Sequence, residues 1–133
     1  NNPFNAYLPE NIRENSVVYT GTHDNDTTLG YLNAMTDEEF KDFKTQLRAA
    51  LKSENVVYPF VTREQAVWAL NVCALASGAN IAILPVQDVT GLDGKARMNV
   101  PSTPDGNWKF RMDKMPSRRS IALLKRAIND YNR

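Results

Sequence analysis

Residues Ile81 to Leu84 read IAIL, an unbroken apolar run stopped by Pro85. A run this short, with no alternation of polar and apolar positions, is what a parallel strand covered on both faces looks like. A second β-branched and aromatic run, SVVYT, lies upstream and is expected to form a strand from Ser16 ending near Tyr19. Each run leads straight into a polar, turn-rich segment, and helix-patterned sequence lies between them. The order is strand, polar loop, helices, strand, polar loop, helix, which predicts consecutive βα units of an α/β protein.

The helices announce themselves through their starts. Thr36 and Glu39 form a capping box, with Asp37 and Glu38 suited to the positive end of the helix dipole. Phe40, Phe43, Leu47 and Leu51 then recur at steps of three and four, which gives that helix one apolar face. SENVVYPF is a connector in which Pro59 discourages helix. Thr62 and Gln65 make a second capping box, opening a helix through AVWALNVCALA, with Gly78 expected as its C-terminal cap. Ser117 caps a last helix whose Ile121, Leu124, Ile128 and Tyr131 share a face. The segment before the first strand, Asn1 to Asn15, reads as loop.

Bulk properties exclude several classes. The chain has 133 residues, 42% of them hydrophobic and 23% charged, as expected of one globular domain rather than a disordered segment. Sixteen basic and fifteen acidic side chains leave a net charge of +1, so there is no electrostatic footprint for nucleic acid or an anionic membrane. No apolar run approaches the roughly 20 residues of a membrane span, and no signal peptide is visible. Cys73 is the single cysteine, which favours a reducing, cytoplasmic compartment; its small apolar neighbours mark it as a buried structural thiol rather than a nucleophile. The chain does not begin with Met and opens on proline-bearing loop sequence, so it is expected to be a piece of a longer protein, with no internal domain boundary across residues 1–133.

In parallel α/β architectures the chemistry sits on loops leaving the C-terminal ends of strands. The only histidine, His23, lies in such a segment, within THDND, beside Asp24. An EF-hand is excluded, because Leu29 stands where its glycine is required and Met35 where its glutamate is required. Two readings of THDND remain: capping and turn residues, or a carboxylate and an imidazole aimed into a cleft, able to hydrogen-bond a polyhydroxylated ligand or support acid–base work. There is no G-x-S-x-G elbow and no phosphate-binding glycine loop, since GLDG fits neither pattern. The second strand is followed by VQDVTGLDGKARMNVPSTPDGNWKF, a polar stretch long enough to be functional.

VVYTGTHDNDTTLGYL (Val17 to Leu32) resembles a segment of the 4-α-glucanotransferases, also called amylomaltases or disproportionating enzymes, glycoside hydrolase family 77. LPVQDVTGLDGKARMNVP resembles that family's strand-eight stretch, with L-P-x-Q-D and A-R-M-N, and GNW continues in register. The likeness runs from about Asn2 to about Arg111.

The resemblance implies the C-terminal portion, strands seven and eight with their helices, of a (β/α)₈ TIM barrel of the α-amylase clan. It implies transfer of a segment of α-1,4-glucan to an acceptor glucan or glucose, with retention of configuration and without cofactor or metal. Maltooligosaccharides and glucose would be the partners. The nucleophile and the acid/base would follow strands four and five and are not in this chain. By the same resemblance Asp24 is the transition-state-stabilising acid that binds ring hydroxyls, with His23 beside it, and Asn99, Asn25 and Arg97 are substrate contacts. From its residue type alone, Arg97 paired with a carboxylate would brace the loop instead. Gln87 and Asp88 have no assigned role, and Trp108 is expected to be a buried aromatic, a sugar platform being the alternative. Ser102 stands where the family usually has glycine. The competing functions are an α-glucan hydrolase or debranching enzyme of the same clan, and a non-catalytic glucan-binding module. The isolated chain is expected to be inactive and to hide its strand edges by self-association, by swapping elements between chains, or by its own helices folding over them.

Overall fold

A computed structural model describes residues 8–133; the first part of the expected opening loop lies outside the described residues. Two strands, β1 (Val17–Tyr19) and β2 (Ile81–Ile83), pair in parallel with Val17 opposite Ile81, Val18 opposite Ala82 and Tyr19 opposite Ile83. Three helices connect them: α1 (Thr28–Ala34), α2 (Asp37–Ser53) and α3 (Arg63–Ala76). After β2 come a short helix, α4 (Val86–Thr90), a 3-10 turn (Gly94–Ala96), a long loop, and α5 (Arg118–Asp130).

Both expected capping boxes form. The Thr36 hydroxyl accepts from Glu39 N–H, and the Glu39 carboxylate accepts from Thr36 N–H at 2.8 Å. Thr62 and Gln65 do the same for α3. α2 buries Phe40, Leu47 and Leu51, with Phe43 packed at the edge of the core. α3 is buried on nearly every side, from Ala66 and Val67 through Asn71 to Leu75, which makes it the central helix. Its apolar surface meets α1, α2, α4 and α5. Of the α5 face, Leu124, Ile128 and Tyr131 reach the core, whereas Ile121 stays exposed.

Three expectations change. Gly78 is not a left-handed cap: α3 ends at Ser77, at φ −60°, with its hydroxyl donating to the Ala74 carbonyl. The carbonyls of Leu75, Ser77 and Ala79 are instead gathered by the Arg133 guanidinium. Second, β2 is covered on one face only. Ala82 and Val18 turn towards the helices, while Val17, Tyr19, Ile81 and Ile83, all on the other face, remain about half exposed. Third, Val86 to Thr90 is helical within the polar stretch after the second strand, and a further short helix, Thr28 to Ala34, precedes the one that Thr36 opens.

Candidate active site

The polar loops after β1 and β2 meet at the end of the sheet. In the first, the Asn25 side chain accepts from the Thr22 N–H at 2.8 Å and the Thr22 hydroxyl at 2.9 Å, while Asn25 N–H donates to the Thr22 carbonyl. The turn closed by these three bonds carries His23 and Asp24 at its tip, their side chains 55% and 51% exposed. His23 Nε2 lies 3.3 Å from Asp24 Oδ1. Thr27 then caps α1 by accepting from Gly30 N–H. Asn25, a candidate ligand contact, thus has its oxygen committed to shaping the turn.

The second loop crosses over to brace the first. Arg97 donates through Nη2 to the Asp24 carbonyl at 2.7 Å and through Nε to the Asn99 carbonyl at 2.8 Å. Asn99 Nδ2 donates to Asp24 Oδ1 at 2.6 Å. Asp24 is therefore fixed at its backbone and at one carboxylate oxygen. The other, Oδ2, has no partner among the described residues. A carboxylate held this way can accept from a ligand hydroxyl without first being ordered. Among the described residues no three His, Cys, Asp or Glu side chains converge to hold a metal.

Asp88 has the part that sequence reasoning missed. Only 2% exposed, it accepts from the Thr28 N–H at 3.0 Å, the Thr28 hydroxyl at 2.7 Å and the Thr20 hydroxyl at 2.6 Å. Thr20 and Thr28 flank the loop that carries His23 and Asp24, so one carboxylate clamps both of its ends. Asn71 Nδ2 secures the Asp88 carbonyl at 3.2 Å, and Gln87 Nε2 donates to the Ala96 carbonyl at 3.2 Å. Asp88 lies three residues past Pro85, and a buried carboxylate there must find donors, but the sequence carries no mark of which ones. Asp26, the loop's other acid, accepts from Thr27 N–H at 2.7 Å. A Cβ on Gly30 would lie 2.5 Å from the Asp26 carboxylate and one on Gly94 3.0 Å away, so a larger residue at Gly30 would force the Asp26 side chain to shift.

Trp108 is not buried: it is 53% exposed, and its ring lies 5.0 Å from that of His23 at an interplanar angle of 40°. A loop tip lacks the enclosing neighbours that bury aromatics on helices. Cys73 is buried as expected, and desolvation pushes its thiol up to about 11, which leaves it protonated and inert at neutral pH. A small cavity of about 160 Å³ is bounded by both loops, including His23, Asp26, Asp88 and Arg97. A larger one, about 630 Å³, lies between the 3-10 turn and the start of α5, lined by Asp93, Lys95, Phe110 and Met115. His23 and Arg97 line the smaller cavity, whereas Asp24 and Asn99 are not among its lining residues and stand at the exposed tip of the loops beside it.

Fold and site together define an α/β unit with its polar site at paired strand ends. The family model for glycoside hydrolase family 77, 4-alpha-glucanotransferase, matches residues 1–116. The chain belongs to this family. It is 39% identical over 133 residues to the chloroplastic/amyloplastic 4-alpha-glucanotransferase DPE1 of Oryza sativa, covering 97% of this chain and 20% of that protein. It is 42% identical over 110 residues to the Thermus thermophilus 4-alpha-glucanotransferase, covering 81% of this chain and 21% of the relative. The amylomaltase of Streptococcus agalactiae, solved in complex with acarbose, superposes with a TM-score of 0.76 at 27% identity over 97% of this chain and 24% of that one. The fold is thus of the α-amylase-related family type, and the chain spans about a fifth to a quarter of the length of these relatives.

Proposed function

We propose that this chain is the C-terminal part of a 4-α-glucanotransferase barrel, with β1 and β2 as its seventh and eighth strands. The whole enzyme would move a segment of an α-1,4-glucan onto an acceptor glucan or glucose, with retention. Retention requires a nucleophilic carboxylate and a proton-donating carboxyl about 5 Å apart, across the scissile bond. Both belong to the rest of the enzyme. This chain contributes Asp24, which accepts the ring hydroxyls of the sugar under attack, with His23 alongside. As oxocarbenium character develops, those hydroxyls become better donors, so a fixed carboxylate binds the transition state more tightly than the ground state. Arg97 and Asn99 set its aim, and Asn99 can turn its amide to a sugar once one is bound. The single-cysteine composition supports a cytoplasmic enzyme.

The observation that carries this reading is the 2.6 Å bond from Asn99 to Asp24 Oδ1, which joins the two strand-end loops and leaves Oδ2 open. The relatives' glucanotransferase names and the acarbose complex of the amylomaltase support an oligosaccharide substrate. In the whole enzyme, Asp24→Asn should cut kcat by roughly 10²- to 10⁴-fold with little change in melting temperature, because it removes a contact strongest in the transition state. Near-full disproportionation of maltotriose by that variant would overturn the role.

A further inference from the structure

An isolated exposed apolar side chain is ordinary on a protein surface, so the exposure of Trp108 alone means little. Three other features single it out. Its backbone has φ +62°, in the left-handed region that bulky residues rarely occupy. That conformation is held from both sides: Trp108 N–H donates to the Met98 carbonyl at 2.7 Å, and Arg111 donates to the Trp108 carbonyl at 3.0 Å. The preceding loop is closed by Asn107, whose side chain accepts from Val100 N–H at 2.8 Å and donates to the Thr103 carbonyl at 3.0 Å. Strained backbone of this kind persists where its surroundings over-determine it, and it concentrates at ligand clamps. The third feature is place. The indole meets the His23 ring at an angle of 40°, and both side chains stay about half exposed, so the contact does not use up either face.

We propose that Trp108 is a sugar platform of this site, the open part of its indole face packing on the C–H face of a glucose unit whose hydroxyls reach Asp24 and His23. The proposal rests on the reading of Asp24 as a sugar ligand. A pyranose carries hydroxyls around its rim and polarised C–H groups on its faces. A carboxylate and an imidazole suit the rim; the negative face of an aromatic ring suits the C–H groups. Trp108 and His23, at 5.0 Å between centroids, bring both kinds of surface to one place. The bond from Trp108 to Met98, next to Arg97 and Asn99, ties the platform to the loop that aims Asp24.

The test uses the whole enzyme with Trp108→Ala, Trp108→Leu and Trp108→Phe, alone and in a His23→Ala background. Calorimetric affinity for maltoheptaose is read beside kcat and KM for maltotriose disproportionation. Trp108→Ala and Trp108→Leu should weaken maltoheptaose binding and raise KM by roughly 3- to 10-fold, the range of an aromatic contact. kcat should change less than about 2-fold, the pattern of lost uniform binding. Trp108→Phe should recover most of the loss, and the loss should persist without the imidazole. Wild-type affinity in a folded Trp108→Leu enzyme, which keeps an apolar side chain but has no aromatic face, overturns the platform. So does a loss that vanishes in the His23→Ala background, which would make Trp108 a support for His23 only. Unchanged binding in the Trp108 variants, with transfer still abolished by Asp24→Asn, sinks the platform and leaves the functional reading standing. Trp108-dependent maltoheptaose binding by an enzyme that transfers nothing does the reverse.

Discussion

Burying a carboxylate is costly unless donors surround it, and Asp88 is the one acidic or basic residue in the buried set of the described chain. Three donors from Thr20 and Thr28 meet it, and they come from the two ends of the loop holding His23 and Asp24. Asp88→Ala would strand the Thr28 N–H and two hydroxyls, and should cost about 2–4 kcal/mol of stability, since each orphaned buried group costs about 1–3 kcal/mol. Asp88→Asn keeps an acceptor for the Thr28 N–H, and a threonine hydroxyl can turn to accept from its amide. It should therefore lose less than half as much. Urea denaturation of the two variants measures this, and equal stability of Asp88→Ala and wild type would dismiss the clamp. The residues at the tip were legible in the sequence because an imidazole beside an acid at a strand end is unusual. The clamp was not, since hydrogen bonds joining residues 60 and 68 positions apart leave no local pattern. Trp108 was misjudged for the same reason: on a loop, residue type says nothing of what surrounds it.

Elements with a full period and a cap were readable, and those without were not. α2, α3 and α5 show both. α1 contains Gly30 in its first turn, a poor helix former, where the Asp26 carboxylate lies 2.5 Å from the place of a Cβ. α4 has only five residues, too few for a 3.6-residue period to register. Its terminating Gly91, at φ +68°, is the left-handed cap that had been expected at Gly78. α1 is secured by a residue from α3: Arg63 donates to the Leu32 carbonyl at 2.9 Å and the Met35 carbonyl at 3.1 Å, and lies 4.6 Å from the Phe40 ring centroid. It also pairs with Asp37, whose side chain is 98% exposed. An exposed pair is worth little, whereas charge-assisted bonds to carbonyls and a partly desolvated cation–π contact are worth more. Arg63→Ala should thus cost about 2–3 kcal/mol, and Asp37→Ala less than about 1 kcal/mol. A larger loss from Asp37→Ala in thermal melts would reverse that ranking. On α3, the Cys73 thiol is raised chiefly by burial, with Glu54 and Glu10 adding repulsion, from 9.0 to about 11. A raised folded value contributes stability that is intact below pH 9.0 and lost as pH rises towards about 11. Cys73→Ala should flatten the fall in stability between those pH values, and an unaltered alkaline limb would contradict it.

At the scale of the whole molecule, the sheet has one dressed face and one bare one. The sequence read as buried strand on both sides because Ile81 and Ile83 are apolar, yet within this chain Ala82 and Leu84 pack against the core while Ile81 and Ile83 stay about half exposed. Val17, Tyr19, Ile81 and Ile83 form a contiguous patch, each side chain about half exposed and paired across the register. Both strands also present an edge with no neighbouring strand among the described residues. An apolar patch bordered by open edges drives association when nothing else covers it. The 133-residue chain on its own is therefore expected to self-associate, through strand pairing or stacked sheet faces. It is also expected to release no glucose from maltotriose, because Asp24 without a carboxylate pair about 5 Å apart cannot carry out a retaining cleavage. The double substitution Ile81→Glu with Ile83→Glu separates the causes. Both side chains already face solvent, so the helices should keep their packing while charge on the patch opposes association. Light scattering across a concentration series should then give a monomer for the double variant and larger species for the wild-type chain. A wild-type chain that stays monomeric at every concentration would refute the association, and glucose released by the pure chain would refute its inactivity.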